Sequence, residues 1–418
     1  MTSADNSPLI VPPSILDTDL YKLTMQQAVF AHFPDVEASY RFTNRTLEDT
    51  FTRRCFELFK KSVQEFAKLA LSPDERSWLE RTCPHLKKGY LDYLQSYRFR
   101  PEQVTITFDP LPEDPDRGQI GIVAEGLWVE TIMWEVPLMA SLSELYFTVV
   151  NTDWDYEGQT AEAYSKGKIL AESDCIINEF GTRRRRSYKT QDLVVDELIK
   201  AYKDTPSSRG QLVGTSNAHL ARQYGITPVG TIAHEWFMGV AAIGGYENAN
   251  GRAMDLWEAT YPDVLLVTLT DTFSTEAFYQ DFVKDPERAK RWGALRQDSG
   301  DPFVYAPRAR EIYQSMGIDH TTKMIVYSDG LNVEKALALK KQCDKLGFTA
   351  SFGIGTSLSN DFKSISSGRK QKSKALNMVI KLYQVGGKYC AKISDELTKN
   401  TGNEEAVREA KKVFGINV

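Results

Sequence analysis

From about residue 170 onward the chain repeats one pattern: a short apolar run, a polar or glycine-bearing signal, then a helical stretch. The runs fall at 175–178, 211–213, 229–233, 264–269, 294–296, 324–327 and 349–352. Apolar runs without alternation are the mark of strands covered on both faces, so the pattern predicts a parallel sheet under helices. After the sixth run, Asn332 is placed to cap a helix carrying Val333, Ala336 and Leu337. With an eighth strand near 127–131, the series suits a closed β/α barrel; a doubly wound sheet would give the same local texture.

The flanks read differently. Residues 104–108 (VTITF) and 119–124 (QIGIVA) are strand candidates, with a Pro/Asp-rich hairpin loop at 109–118 between them. A charged, helix-prone stretch covers 47–96, so the first 150 residues look α+β. Near the other end, 378–385, Gly386-Gly387 and 388–393 read as strand, tight turn and strand. The expected division is an N-terminal α+β part over 1–150, a barrel over 151–365, and a segment over 366–418 that packs back on the N-terminal part.

The 418 residues carry a formal net charge of −5, which argues against nucleic acid as the main partner while leaving room for a local basic pocket. Cys55, Cys83, Cys175, Cys343 and Cys390 are odd in number and free of CxxC, so neither a disulfide framework nor a zinc site is expected. The N-terminal residues lack a secretory pattern, and no run approaches the ~18 apolar residues of a membrane span. A cytoplasmic enzyme is expected. A nuclear location stays open, because residues 183–186 are four arginines that can serve as a targeting patch or a solvated face.

Polar groups follow almost every apolar run: Phe180 and Arg183, then Ser216, His234, Asp271, Arg296 with Asp298 and Asp301, Ser328-Asp329, and Gly355-Thr356. In a β/α barrel these positions share one rim, where active sites are built. FGIGTS (352–357) can bring backbone N–H groups and Thr356 to a phosphate, although a plain tight turn reads the same way. Arg183 stands nearest its strand end, where a guanidinium can pair with a carboxylate or phosphate, and Phe180 can stack on an aromatic ring. Four aspartates on one rim call for a cation, and Mg²⁺ held with substrate phosphates is the expected one; at least one Asp should instead cap a helix. HEW lacks the second His of a zinc motif, and His85 and His219 are assigned nothing.

DTDLYKLTM (17–25), EFGTRRRRS (179–187), GTIAHEW (230–236), RQDSGDP (296–302), YSDGLN (327–332) and FGIGTS together resemble the nicotinate phosphoribosyltransferase family, most closely its fungal and proteobacterial branch. The resemblance implies a type II phosphoribosyltransferase fold: an irregular β/α barrel with a smaller α+β domain built from both chain ends. It implies that nicotinate and phosphoribosyl pyrophosphate give nicotinate mononucleotide and pyrophosphate, with ATP hydrolysis coupled through a phosphohistidine at His234. Tyr21 and Thr231 would contact nicotinate, Arg296 and Thr356 the phosphoribosyl substrate. Phe180 and Arg183 match the ring-stacking and anion-binding positions, and Asp298 and Asp329 the ribose and pyrophosphate side, where either can meet Mg²⁺. Relatives often place the N-terminal Tyr in a neighbouring subunit's site, so a homodimer is an open expectation.

The chemistry fits these residue types. Asp298 or Asp271 would stabilise positive charge growing on the sugar, and Mg²⁺ with Arg296 the departing pyrophosphate. Ser216, in GTS where nicotinamide-using relatives read GTD, favours nicotinate. The competing readings are a nicotinamide phosphoribosyltransferase, a non-catalytic sugar-phosphate-binding barrel, and a phosphosugar isomerase or aldolase; for the last no Schiff-base Lys stands at a strand end.

Overall fold

Six of the seven apolar runs become strands, and they pair in parallel as predicted. The structure is a computed structural model, describing residues 9–207, 209–396 and 400–416. Residues 1–8, on which most of the secretory-signal reading falls, lie outside the described residues. The parallel sheet has seven strands in the order Thr227–Pro228, Gln211–Thr215, Ile176–Glu179, Thr349–Ile354, Met324–Tyr327, Ala294–Gln297 and Val267–Leu269. Helices cover its outside, among them Tyr188–Asp204, Pro302–Ser315 and Val333–Leu346. Asn332 caps the last by accepting a hydrogen bond from Lys335 N, and Asp301 caps Pro302–Ser315 through Phe303 N.

Two expectations need correction. The third run is not a strand: pairing stops at Thr227–Pro228, and 229–233 is an irregular loop that delivers His234 as the first residue of helix His234–Gly244. The supposed eighth strand is a helical turn, Trp128–Thr131. Among the described residues no strand joins Thr227–Pro228 to Val267–Leu269, so the barrel is curled but open there, with helices His234–Gly244 and Ala249–Thr260 between those two strands in sequence. Apolar content misled in both places, because Ile232, Trp128 and Val129 are buried without belonging to a sheet.

The second sheet is antiparallel and unites the chain ends. Strand Met378–Val385 pairs with Glu37–Asn44, which pairs with Asp114–Leu127. The predicted hairpin is present and longer than expected, Val104–Leu111 against Asp114–Leu127. A C-terminal strand placed centrally in the N-terminal sheet brings residues 378–396 over the mouth of the parallel sheet: Ile393 N donates to Thr272 O at 2.8 Å. Helix Leu20–His32 reaches the same mouth, held by Leu20 N donating to Ser216 O at 2.7 Å. Among the described residues no helix is long and apolar enough to cross a membrane.

Candidate active site

Strand Ala294–Gln297 ends in Arg296, whose Nε donates to Ser328 Oγ at 2.8 Å and whose Nη2 donates to Asp298 Oδ1 at 3.2 Å. Ser328 Oγ donates to the same Asp298 oxygen at 2.6 Å. Three residues from two adjacent strand ends thus form a closed ring. Burial opposes ionisation of Asp298, but Arg296 and His234 outweigh it and hold its carboxyl below the ordinary value.

His234 stands between two carboxylates. Its Nε2 lies 2.8 Å from Asp271 Oδ1, and its Nδ1 lies 3.6 Å from Asp298 Oδ2. Asp271 is 1 % exposed, and its other oxygen accepts from Ser299 Oγ at 2.6 Å and Lys392 Nζ at 3.1 Å. Burial opposes its charge, yet His234 and Lys392 hold it well below the usual carboxylate range. An ionised carboxylate accepts and cannot donate, so Nε2 carries the hydrogen, and in the neutral imidazole Nδ1 keeps its lone pair. Burial lowers the pKa of His234, with Asp271 opposing, which favours this neutral form.

Two adjoining cavities share Arg183, Arg296 and Asp298. The smaller, of about 90 Å³, is lined by Tyr21, Glu135, His234, Glu235 and Lys381 among others. The larger, of about 590 Å³, is lined by Phe180, Ser328, Asp329, Gly355, Thr356, Lys372 and Lys374 among others. The Phe180 ring lies 5.9 Å from the Arg296 guanidinium. Gly353 lets it sit there: a Cβ at 353 would stand 2.4 Å from the ring. FGIGTS therefore does two things, clearing space for an aromatic side chain at Gly353 and lining the cavity at Gly355 and Thr356.

Behind Tyr21 lies a buried charge network. Lys22, with no exposure, bridges Glu135 at 2.5 Å and Glu235 at 2.6 Å. Glu235 also accepts from Tyr40 Oη and Trp128 Nε1. Glu135 accepts from Arg183 Nη1 at 3.2 Å, which leaves that guanidinium nearly half exposed on the shared wall. Gly230, at φ 148°, lets the loop before His234 pass close to Tyr21 N, where a Cβ would be 2.9 Å away.

The structure gathers Tyr21, Phe180, Arg183, His234, Arg296, Asp298, Ser328, Asp329, Gly355 and Thr356 on the two cavity walls. It sets three other expected residues back. Asp271 is buried behind His234, in contact with its Nε2. Ser216 is buried and donates to Asp19 Oδ1 at 2.7 Å, and Asp19 in turn stands 4.0 Å from Arg183 Nε on the cavity wall. Thr231 is absent from both linings, and its carbonyl accepts from Thr24 Oγ1 at 2.6 Å. For Asp271 and Ser216 the reason is that a position just past a strand end fixes the backbone at the rim but not which way the side chain turns; Thr231 sits in the irregular loop before His234.

The four arginines have separate fates. Arg183 and Arg184 line the larger cavity. Arg185 is buried in a two-pronged pair with Asp17, at 2.8 and 2.7 Å. Arg186 is fully buried among aromatic rings. In the folded chain these four do not form the solvated face that the run suggested.

Sequence reasoning missed Lys22, Glu135, Glu235, Lys381 and Lys392. The signal for Lys381 and Lys392 was present: each is a lone charge inside an apolar stretch, in MVIKLYQV and in CAKIS. Burial, with Lys392 and Arg45 nearby, lowers Lys381 to about 7. Among the described residues no group of three or more His, Cys, Asp or Glu could hold a metal ion. Asp298 and Asp329 on the larger cavity fit Mg²⁺ carried mainly by substrate phosphates, since that ion needs one or two carboxylates.

An α/β enzyme handling a phosphorylated, anionic substrate is what this fold and rim define. The profile described as "Nicotinate phosphoribosyltransferase (NAPRTase) family" matches residues 175–418, and that of the family's N-terminal domain matches 16–143. Nicotinate phosphoribosyltransferase of Methanosarcina mazei is 41% identical over 420 residues, covering 96% of this chain and 98% of the relative. That of Saccharomyces cerevisiae is 40% identical over 409 residues, covering 96% and 95%. The fold superposes on a crystal structure from S. cerevisiae with a TM-score of 0.94 at 39% identity, covering 99% of this chain and 100% of that one. For the Porphyromonas gingivalis nicotinate phosphoribosyltransferase the TM-score is 0.88 at 35% identity, covering 96% and 99%. The chain belongs to the nicotinate phosphoribosyltransferase family and is an enzyme.

Proposed function

We propose that the chain transfers the phosphoribosyl group of phosphoribosyl pyrophosphate to nicotinate, giving nicotinate mononucleotide and pyrophosphate for NAD salvage, and that ATP hydrolysis drives the transfer through His234. The observation that carries this reading is the placement of His234, with Nε2 on Asp271 and Nδ1 facing the cavity wall formed by Asp298 and Arg296. In the coupling step Nδ1 attacks the γ-phosphorus of ATP, ADP leaves, and water later releases phosphate from the histidine. A phosphoryl group there adds negative charge beside Arg296, Lys381 and Lys392 and can draw these cations into one arrangement.

For the transfer itself, Tyr21 and Phe180 hold the flat ring between the cavities, and Arg183 supplies positive charge for the nicotinate carboxylate. Asp298 lies where positive charge would grow on the sugar, and Arg296 faces the departing pyrophosphate. Mg²⁺, when bound with the phosphates, would add charge neutralisation at the leaving group. Asp298 and Asp329 are the residues that would meet it.

The test supplies γ-labelled ATP and each base in turn. Label on the wild-type chain, absent in His234→Ala, with product from nicotinate and little from nicotinamide, is the expected result. Label on the His234→Ala chain would remove His234 from the role. Preferential product from nicotinamide would favour the other base, and no product from either would favour a binding protein.

A further inference from the structure

Arg186 lies outside both cavities and takes no part in the chemistry above, yet it is a fully buried cation. Its guanidinium carbon stands 3.7 Å from the Phe147 ring centroid, 4.5 Å from that of Phe362 and 5.2 Å from that of Trp154. Nη2 donates to Ser373 Oγ at 2.9 Å, while Nε and Nη1 have no hydrogen-bond partner. Burial pushes its pKa down to about 9 against the opposing effect of nearby tyrosines. A cation buried without a full set of partners is unfavourable, and an apolar side chain would fill an aromatic cage at less cost. What an apolar side chain lacks is a donor for Ser373.

The partners of Arg186 explain the arrangement. Phe362 and Ser373 are register partners in the small antiparallel ladder Phe362–Lys363 with Lys372–Ser373. One guanidinium therefore packs on one strand through a ring face and bonds the opposite strand through a hydroxyl. A planar guanidinium can stack and donate from its edge at once, which a lysine ammonium cannot. The Arg186 backbone N also donates to Ser359 O at 2.9 Å, just after the Gly355-Thr356 turn. Lys372, Ser373 and Lys374 line the larger cavity together with Gly355 and Thr356. Lys372 is further steadied by Asp361, which also pairs with Lys166.

We propose that Arg186 is a positioning residue for the phosphate side of the active site: it clamps the base of this hairpin so that Lys372 and Lys374 stay on the wall of the cavity that Gly355 and Thr356 also line. The inference rests on the phosphoribosyl-transfer reading above. It predicts a defect that falls mainly on one substrate, because Lys372 and Lys374 line the larger cavity alone, while Tyr21 lines only the smaller one.

The experiment compares Arg186→Lys, Ser373→Ala and the double variant with the wild-type chain. Lysine keeps the charge in the cage but cannot stack and reach Ser373 together. Each single variant should raise the KM for phosphoribosyl pyrophosphate by about tenfold, with the KM for nicotinate little changed. The double variant should be no worse than the poorer single one, since both cut the same tether. A fall in thermal stability with both KM values unchanged would make Arg186 an ordinary core residue and overturn the proposal. Additive KM effects would also overturn it, because Ser373 would then act by touching substrate. Should Arg186→Lys not fold, an unchanged KM in Ser373→Ala is sufficient to reject it. A wild-type chain that makes no nicotinate mononucleotide sinks the underlying reading instead, and is seen in the control.

Discussion

At Asp271 a single carboxylate decides which nitrogen of His234 can react. Replacing it with Asn keeps the size but offers an N–H where an acceptor is needed, so the imidazole can settle in the wrong tautomer. Asp271→Asn should slow labelling by γ-labelled ATP by something on the order of 10³-fold; an undiminished rate would mean that the Asp271 contact does not orient the ring. Lys381 makes a second residue-level prediction. Its amine, near 7 in the free site, is charged below that pH and neutral above it. A bound polyphosphate favours the charged form, so affinity is greatest below pH 7 and falls as pH rises through it. The KM for ATP should therefore climb between pH 7 and 9 in the wild-type chain and stay flat in Lys381→Met. A parallel climb in the variant would assign the dependence elsewhere.

Elements carry the next layer of constraint. Strands Ile176–Glu179 and Thr349–Ile354 lie side by side, and the first delivers Phe180 against the Cα of Gly353 on the second. Gly353→Ala should push the ring out of the site and lower kcat/KM by at least about tenfold, with a smaller effect on unfolding. An active variant would show that the ring is not needed there. Lys22 fastens three helices, Leu20–His32, Glu135–Val149 and His234–Gly244, through Glu135 and Glu235. Lys22→Met would strand two buried carboxylates, and a loss of about 3–5 kcal/mol in urea unfolding is expected. A loss near zero would mean that those carboxylates take up protons or water instead.

For the whole molecule, helix Leu20–His32, helix His234–Gly244 and strand Met378–Val385 all meet within one chain at the smaller cavity, through Tyr21, His234 and Lys381. If that arrangement is the working one, mixing Tyr21→Ala chains with His234→Ala chains should restore nothing beyond the activity of each alone. Activity regained on mixing would show that neighbouring chains trade these residues across a shared site.

Periodicity and motif order were enough to read the parallel sheet, the antiparallel tail and ten of the site residues on the cavity walls. These are local matters: a buried strand must be apolar, a rim must be polar, and a motif keeps its spacing. Openness of the barrel, the inward turn of Ser216 and Asp271, and the different fates of Arg183 to Arg186 were beyond sequence. So was the arrival of Lys381 and Lys392 beside His234 from more than a hundred residues away. Each depends on which distant surface comes to lie against a side chain, and in a close-packed interior that is settled by the assembled shape rather than by neighbours in the chain.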